Sequence, residues 1–449
     1  MTATDRFRGP TKSAGVLELT PSSPAMDTTL AATPAAEGEA GRTTGSHQEF
    51  RADLQGLRAV AVALVVLYHA HLPGIRGGYV GVDVFYVLSG FLITGLLLRE
   101  RETSNRTSLV GFYARRARRI LPAAFVVIVA TVLASYIWLG FVAGNRTADD
   151  ARWASVFLAN IHFGAIGTTY LGSQLPPSPI QQLWSLSVEE QFYVVWPTLL
   201  LITAYIGRRF SLRARLAAVL SVIVVASYVW SIVETNQNGT WAYFSPLTRA
   251  WELAIGGLVA VGTPQLAKLG RRTSATLSWA GLAAIIFSAL WFTEATTFPG
   301  SLVAVPVLGA VLFIVAGCSA TPSGAAALLR NRPVQWIGAI SYSLYLWHWP
   351  ILTIAYERVG HQLSLADNLG LVAVSVVFAA ASFYLVENPI RFRKFFTRHP
   401  VRSVAFGVAL IAASFAFCTW EIHDHATHTQ FVPTAIAPLE SSATSIPTN

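Results

Sequence analysis

Long apolar stretches recur along the chain and are separated by short polar segments. Eleven of these stretches approach the roughly 20 residues that a helix needs to cross the hydrocarbon core of a bilayer. The pattern predicts an all-α, polytopic membrane protein with about eleven transmembrane helices. Their approximate bounds are 55–73, 82–99, 120–142, 190–207, 214–233, 247–262, 275–293, 301–317, 335–355, 367–386 and 403–420.

The composition supports a membrane protein and excludes several other classes. The chain is 53% hydrophobic and only 12% charged, whereas a soluble domain carries about 25% charged residues. Its net charge of +9 is not arranged as basic residues interleaved with aromatic ones on a polar face, so no nucleic-acid partner is expected. Cys318 and Cys418 lie in different apolar segments and cannot form a disulfide framework.

Lysine and arginine residues in the predicted loops are strongly biased to one side of the membrane. With a cytoplasmic N-terminus, 21 of them fall in inside loops and four in outside loops. Because inside loops of membrane proteins are enriched in Lys and Arg, the alternation supports both this orientation and the segment count. The C-terminus is then extracytoplasmic, and we expect a multi-pass protein of the inner (plasma) membrane.

Polar segments suggest the domain organisation. Residues 1–50 are rich in Thr, Ala, Ser and Pro and are predicted to form a disordered cytoplasmic tail. Residues 51–395 are predicted to form a ten-helix membrane domain, 396–422 an eleventh transmembrane helix, and 423–449 an extracytoplasmic linker. The predicted outside loop at about 143–189 is polar and turn-rich, and is a candidate cover for an extracytoplasmic substrate.

The first predicted helix carries two ionisable residues on one face. Arg58 and His69 are eleven residues apart, which is about three helical turns or roughly 16 Å along the axis. The arginine suits a phosphate at the cytoplasmic end, and a neutral histidine suits removal of a proton from a hydroxyl. A snorkelling arginine and a histidine bonded across helices are the alternative for either residue alone.

Four arginines cluster in "FYARRARRILP" (112–122), where the third predicted span begins. They could anchor the helix to anionic lipid or clamp the phosphates of a nucleotide-bearing donor. Arg116 and Arg119 share one helical face, as do Arg115 and Arg118. Spacing alone leaves both pairs open.

Acidic residues are predicted near the outer rim. In "QQLWSLSVEEQFYVVWP" (181–197), Ser187 and Glu190 have the spacing of a capping box at a helix start. Glu189 would then point elsewhere and could orient His69 or receive a hydroxyl proton. Asp83 is also predicted at the outer rim, and carboxylates near His69 would favour its imidazolium form. A helix-capping or rim position is the alternative for each carboxylate.

Other histidines give weaker signals. His348 lies between Trp347 and Trp349, where it could belong to an interfacial aromatic belt or line a pocket. His423, His425 and His428 have loose metal-like spacing without a cysteine, so no metal is expected.

Six ordered motifs resemble acyltransferase family 3, the integral-membrane O-acyltransferases of cell-envelope glycans. The resemblance covers about residues 50–395. The motifs are "RAVAVALVVLYH" (58–69), "GGYVGVDVFYVLSGFLIT" (77–94), "FYARRARRILP" (112–122), "LWSLSVEEQFYVVWP" (183–197), "SYSLYLWHWPI" (341–351) and "VENPIR" (386–391).

The resemblance implies transfer of an acyl group, usually acetyl, from cytoplasmic acyl-CoA to a hydroxyl of an extracytoplasmic glycan or glycolipid. It implies that His69 is the essential base or acyl relay and that Glu189 and Asp83 are catalytic candidates. The cofactor-binding candidates are Arg58, Arg115, Arg116, Arg118 and Arg119. Ser89, Trp184 and His348 are expected to line the substrate pocket.

Two departures from the family pattern affect the expected partners. Gln182 stands near the place where many relatives carry a histidine, so no role is assigned to it. Many relatives continue after an eleventh span into an extracytoplasmic SGNH-type domain, and this sequence has no Gly-Asp-Ser motif. A separate SGNH-type domain is therefore a possible partner, beside acyl-CoA, the glycan and the bilayer.

Two other functions compete with acyl transfer. A transporter of a glycan or anionic metabolite would move its substrate without consuming acyl-CoA. A non-catalytic component of a glycan-assembly complex would leave envelope acylation unchanged when Arg58 or His69 is replaced.

Overall fold

The computed structural model describes residues 51–168, 177–207, 209–319 and 323–428, with side chains as far as residue 424. The predicted tail 1–50, nearly all of the predicted linker 423–449, and the His425 and His428 side chains lie outside the described residues. The described residues are about 82% helical and include no strand. The predicted all-α class is confirmed.

Each of the eleven apolar stretches contains a helix. Short helices and turns connect the long helices, because Gly, Pro and Asn residues interrupt the apolar runs at their ends. The helices are α1 (Ala52–His69), α2 (Gly81–Ser104), α3 (Leu109–Leu139), α4 (Phe141–Ser155), α5 (Ala159–Ala165), α6 (Leu183–Tyr205), α7 (Leu212–Gln237), α8 (Gly239–Phe244), α9 (Pro246–Val261), α10 (Thr263–Leu266), α11 (Arg271–Trp291), α12 (Ala304–Gly317), α13 (Ala325–Leu328), α14 (Arg332–Val359), α15 (Leu365–Ser382), α16 (Asn388–Phe392), α17 (Lys394–Thr397) and α18 (Pro400–His428).

Seven helices among the described residues are long and apolar enough to cross a membrane. They are α1, α2, α3, α7, α11, α18, and α15 continued through α16. Helix α12 is apolar but shorter. Helices α7 and α15 expose valine side chains such as Val222 (68% exposed) and Val377 (66% exposed), as helices that face lipid do. The protein is therefore a multi-pass membrane protein, and the eleven-span count remains a prediction.

The predicted loop 143–189 is more ordered than its polar composition suggested. Helix α4 begins at Phe141 and ends at Ser155, and α5 spans Ala159–Ala165. Asn160 and Gln191 join α5 to α6: the Gln191 amide donates to the Asn160 side-chain oxygen (2.8 Å) and to the Phe157 carbonyl (2.8 Å). This segment is a pair of helices held against α6. Most of its turn-rich "GSQLPPSP" motif, residues 172–176, falls outside the described ranges.

The capping box predicted at Ser187 and Glu190 is wrong. Helix α6 begins at Leu183, and the Ser187 hydroxyl donates to the Leu183 carbonyl (2.9 Å) inside the helix. The error arose because a serine within a helix can satisfy its hydroxyl on the carbonyl four residues earlier, so the S-x-x-E spacing alone does not identify a helix start. Glu189 and Glu190 therefore lie in the second turn of α6.

Two glycines allow α2 and α9 to pack closely. A methyl group added at Gly90 would lie 1.8 Å from the Leu253 carbonyl oxygen, and one at Gly256 would lie 2.1 Å from that of Val87. Small residues at crossing points let membrane helices approach through their backbones. This contact fixes the position of Ser89 next to Gly90.

Candidate active site

A cavity lies among α1, α2, α3, α6 and α14. Its volume is about 820 Å³, including its open mouth. Apolar and aromatic side chains form most of its wall, and a few polar groups converge on it, as in small-molecule sites. The polar and charged residues that line it are Arg58, Ser89, Arg116, Arg119, Ser185, Glu189, Ser341 and the tyrosines Tyr86, Tyr193, Tyr342 and Tyr345.

One part of the cavity is strongly cationic. Arg58 of α1 and Arg116 and Arg119 of α3 line the same space. The Arg116 guanidinium lies over the Tyr193 ring, 4.8 Å from its centroid, which holds its direction. Guanidinium groups are suited to bidentate contact with phosphate. The described part of this cavity can therefore bind a polyanionic ligand.

The other two arginines of the cluster have structural partners. Arg115 lies 3.3 Å from the Glu100 carboxylate at the surface. Arg118 donates to the Ser403 hydroxyl (2.8 Å) and the Phe396 carbonyl (3.2 Å), and so joins α3 to the start of α18. The structure thus brings the pair Arg116 and Arg119 to the cavity, and the pair Arg115 and Arg118 does not line it.

A carboxylate and two hydroxyl groups meet on the cavity wall. The Ser89 hydroxyl and the Tyr193 hydroxyl both donate to one oxygen of Glu189, and the two hydroxyl oxygens are 2.9 Å apart. Glu189 and Tyr193 are four residues apart on α6, and Ser89 comes from α2. This cluster can accept and pass on a proton. Sequence reasoning missed Tyr193, although its spacing from Glu189 places it on the same helical face.

A buried carboxylate lies behind the arginines. Glu387 ends a π-helical turn, Phe383–Glu387, before Pro389. It is 2% exposed, accepts a bond from the Ser343 hydroxyl (3.3 Å), lies 4.0 Å from Arg391 and interacts electrostatically with Arg119 and Arg58. The extra residue of a π turn redirects the following side chains and is frequent at functional sites. Glu387 therefore contributes negative potential at Arg119 and Arg58, while its contacts are with Ser343 and Arg391.

His69 and His348 form a bonded pair. His348 Nδ1 lies 2.8 Å from the Tyr345 carbonyl and 3.1 Å from that of Leu344, so this nitrogen carries a proton and donates it. His348 Nε2 is then an acceptor, and it lies 3.0 Å from His69 Nδ1. His69 must donate from Nδ1, which makes its Nε2 the nitrogen that accepts a proton. The pairing thus sets the tautomer of His69.

Arg58 and His69 do not line one shared cavity. Arg58 lines the cavity described above, and His69 is not among its lining residues. Tyr345 lines the cavity, its ring lies 5.6 Å from that of His348, and its hydroxyl donates to the Gln182 carbonyl (2.9 Å). Tyr345 and His348 therefore connect the cavity wall to His69 through successive contacts. The spacing of residues within α1 could not reveal these contacts, because Tyr345 and His348 belong to α14.

Asp83 belongs to a separate buried cluster. Its carboxylate is 2.8 Å from Arg249, which is also 3.2 Å from Glu252. All three residues are at most 1% exposed, and none lines the cavity. Trp184 does not line the cavity either. The Arg249 guanidinium lies over the Trp184 ring, 5.7 Å from the ring centroid. The structure thus brings Ser89 and Glu189 to the cavity but places Asp83 and Trp184 in a supporting cluster.

These features define a multi-pass helical membrane protein with a cavity lined by arginines and by a carboxylate–hydroxyl cluster, and with a bonded histidine pair behind Tyr345. The chain belongs to acyltransferase family 3, since a family model described as an acyltransferase domain matches residues 51–387. The match ends at Glu387, so α16, α17 and α18 follow it.

Named relatives are similar over most of the chain. The candidate peptidoglycan O-acetyltransferase YrhL of Bacillus subtilis is 34% identical over 372 residues, which is 78% of this chain and 57% of the relative. The peptidoglycan O-acetyltransferase OatA of Listeria monocytogenes is 32% identical over 361 residues, with the same coverage of 78% and 57%. The candidate membrane-bound transacylase BcsY of Komagataeibacter xylinus is 33% identical over 369 residues, which is 81% of this chain and 88% of the relative.

The chain thus spans a little over half of the length of the first two relatives. No solved structure matches the chain.

Proposed function

We propose that this protein is a membrane O-acetyltransferase that transfers an acetyl group from acyl-CoA on its cytoplasmic side to a hydroxyl of an extracytoplasmic glycan. The observation that carries the proposal is the cavity itself, with guanidinium groups of Arg58, Arg116 and Arg119 and the Glu189 cluster in one wall. Membership of an acyltransferase family and the names of the O-acetyltransferase relatives support the same reaction.

The arginines are proposed to hold the phosphates of the donor. A thioester arm bound there would extend past Ser89 and Glu189 towards Tyr345. The negative potential of Glu387 is proposed to balance the charges of Arg58 and Arg119 before the donor binds. Bound phosphate would then accept hydrogen bonds from these guanidinium groups. Such charge-assisted hydrogen bonds are about twice as strong as neutral ones.

His69 is proposed to act as the general base. Its Nε2 takes the proton of the acceptor hydroxyl while the hydroxyl oxygen attacks the acyl carbon. The C–O bond forms, the C–S bond of the thioester breaks, and the leaving thiolate takes the proton from His69 Nε2, which regenerates the neutral base. His348 accepts the hydrogen bond from His69 Nδ1 and so keeps a proton on that nitrogen. It also stabilises the imidazolium that forms, as an orienting group does for a catalytic histidine. Movement of Tyr345 would join the cavity to His69.

The proposed topology follows the charge bias of the loops. Eleven spans, a cytoplasmic N-terminus and a plasma-membrane location place Arg116 and Arg119 near the cytoplasm and His69 near the outer face. Residues 51–395 then form the membrane acyltransferase domain and 396–422 the eleventh span. A separate SGNH-type domain is proposed as a partner that could receive the acetyl group, since many family members carry one.

Donor binding tests the proposal. Purified protein with Arg116→Ala and Arg119→Ala together is expected to bind labelled acetyl-CoA at least about tenfold more weakly, because each charged hydrogen bond contributes about 1.5–3 kcal/mol. Arg115→Ala is the matched control, since Arg115 is on the same helix but pairs with Glu100 at the surface. Equal binding by the double variant and the control would contradict the proposed donor site.

A further inference from the structure

A cluster of potential metal ligands lies outside the cavity, on helices α4 and α5. Asp149, Asp150 and His162 each offer one ligand atom, and these atoms lie within 4.8 Å of one another. His162 Nε2 is already 2.8 Å from one oxygen of Asp150. Nothing in the proposed acyl transfer uses these residues. A cluster of this kind needs a further observation before it indicates an ion.

The second oxygen of Asp150 provides that observation. Asp150 is 4% exposed, and its Oδ2 is buried without a hydrogen-bond partner. A buried polar oxygen without a partner is destabilising, so such a group in a native protein requires a compensating ligand, an ion or a water molecule. The other oxygen of this carboxyl group lies 2.8 Å from His162 Nε2, so the unsatisfied group belongs to the cluster, where a bound cation would satisfy it.

We infer that Asp149, Asp150 and His162 bind a first-row divalent cation of the Zn²⁺ type. One imidazole and two carboxylates suit zinc, whereas Ca²⁺ and Mg²⁺ prefer oxygen ligands alone. Zinc–nitrogen and zinc–oxygen bonds of about 2.0–2.2 Å place tetrahedral ligands about 3.4 Å apart. The present arrangement therefore needs only a modest rotation of Asp149, whose side chain is 43% exposed.

The surroundings allow this change. Asp149 is paired with Arg152, whose side chain is 33% exposed, and an ion pair this exposed to solvent contributes little to stability. A metal ion can displace it at little cost. On the other side, the ring of Trp153 stacks on His162 at 5.4 Å with an angle of 9° and holds the imidazole in place. The exposed Asp149 gives the ion a path from solvent, and Asp150 is the buried ligand.

The ion would fasten α4 to α5. Helix α5 is bonded to α6 through Asn160 and Gln191, and Gln191 is two residues beyond Glu189 of the cavity. The ion would therefore stabilise the position of α4 and α5 against α6. This role is structural and does not depend on the proposed acyl transfer.

Zinc binding to the purified protein tests the inference. Protein purified through a tag without histidine is treated with chelator, and Zn²⁺ alone is then added in equilibrium dialysis with metal analysis and thermal unfolding as readouts. We expect one tightly bound Zn²⁺ per chain and a higher Tm in its presence. Asp150→Asn combined with His162→Gln should weaken binding by more than about tenfold and remove the rise in Tm.

His361→Gln is the matched control, because His361 is exposed and lies outside the cluster. It should bind Zn²⁺ as the original protein does. The inference is overturned if the original protein binds no more Zn²⁺ than the double variant, or if its Tm does not rise, since a water molecule would then satisfy Asp150. A double variant that retains acetyl-CoA binding shows that the loss of zinc does not result from unfolding.

Discussion

Replacement of His69 by alanine is expected to reduce acetyl transfer by about 10²–10⁴-fold, the usual contribution of a positioned general base. The reason is the tautomer set by His348, whose Nε2 lies 3.0 Å from His69 Nδ1 and directs proton acceptance to His69 Nε2. Turnover of acetyl-CoA with a hydroxyl acceptor measures the effect. Donor binding should be nearly unchanged, because His69 does not line the cavity that holds the arginines.

His71→Asn is the matched control for this prediction. His71 is exposed and has a positive φ of 54°, a conformation that asparagine tolerates, so the variant should keep full activity. His348→Gln should retain more activity than His348→Leu, because only the amide can accept the bond from His69. Full activity of His69→Ala would remove the proposed base from the mechanism.

Replacement of Arg249 by leucine is expected to destabilise the protein by about 3–5 kcal/mol, because it leaves the buried carboxylates of Asp83 and Glu252 without their cation. The guanidinium lies 2.8 Å from Asp83 and 3.2 Å from Glu252 and also faces the rings of Tyr243 and Phe298. The free energy of unfolding of detergent-solubilised protein measures the loss. Asp83 thus supports the fold of the site from outside the cavity.

Two further variants separate the loss of the buried ion cluster from a general intolerance of arginine replacement. Arg213→Leu removes a 30%-exposed arginine of α7 that bonds to Glu102 and to the Val261 carbonyl, and it should cost only about 1 kcal/mol. Replacing Arg249, Asp83 and Glu252 together by leucine should restore much of the stability, since an apolar set can substitute for a buried ion cluster. Similar losses in Arg249→Leu and Arg213→Leu would contradict this account.

The helices and their approximate positions could be predicted from the sequence because hydropathy acts locally. A run of some 20 apolar residues forms a helix in a membrane regardless of its neighbours, and the eleven predicted stretches each contain one. The polar segment 143–189 was harder to predict, since α4 and α5 are short and are stabilised by contacts such as Asn160 with Gln191. Such contacts with another helix are not visible in local composition.

The candidate site could be predicted only in part. The spacing of the arginines identified two faces of α3. Which face lines the cavity depends on residues far along the chain, because Arg118 bonds to Ser403 whereas Arg116 lines the cavity. The ion pair of Asp83 could not be predicted either, because its partner Arg249 lies on another helix. Motif resemblance found His69 and His348 separately, and the bond between them required coordinates.

The most direct test of trans-bilayer transfer uses purified protein in liposomes, with acetyl-labelled CoA enclosed in the lumen and a soluble glycan acceptor outside. The account predicts that labelled acetate appears on the external glycan while CoA is released inside, and that His69→Ala abolishes both. A separately added SGNH-type domain completes the assay where the membrane chain alone releases CoA without labelling the glycan. The central claim would be contradicted if labelled glycan appeared only when donor and acceptor share one compartment. It would also be contradicted if glycan moved across the bilayer without release of CoA.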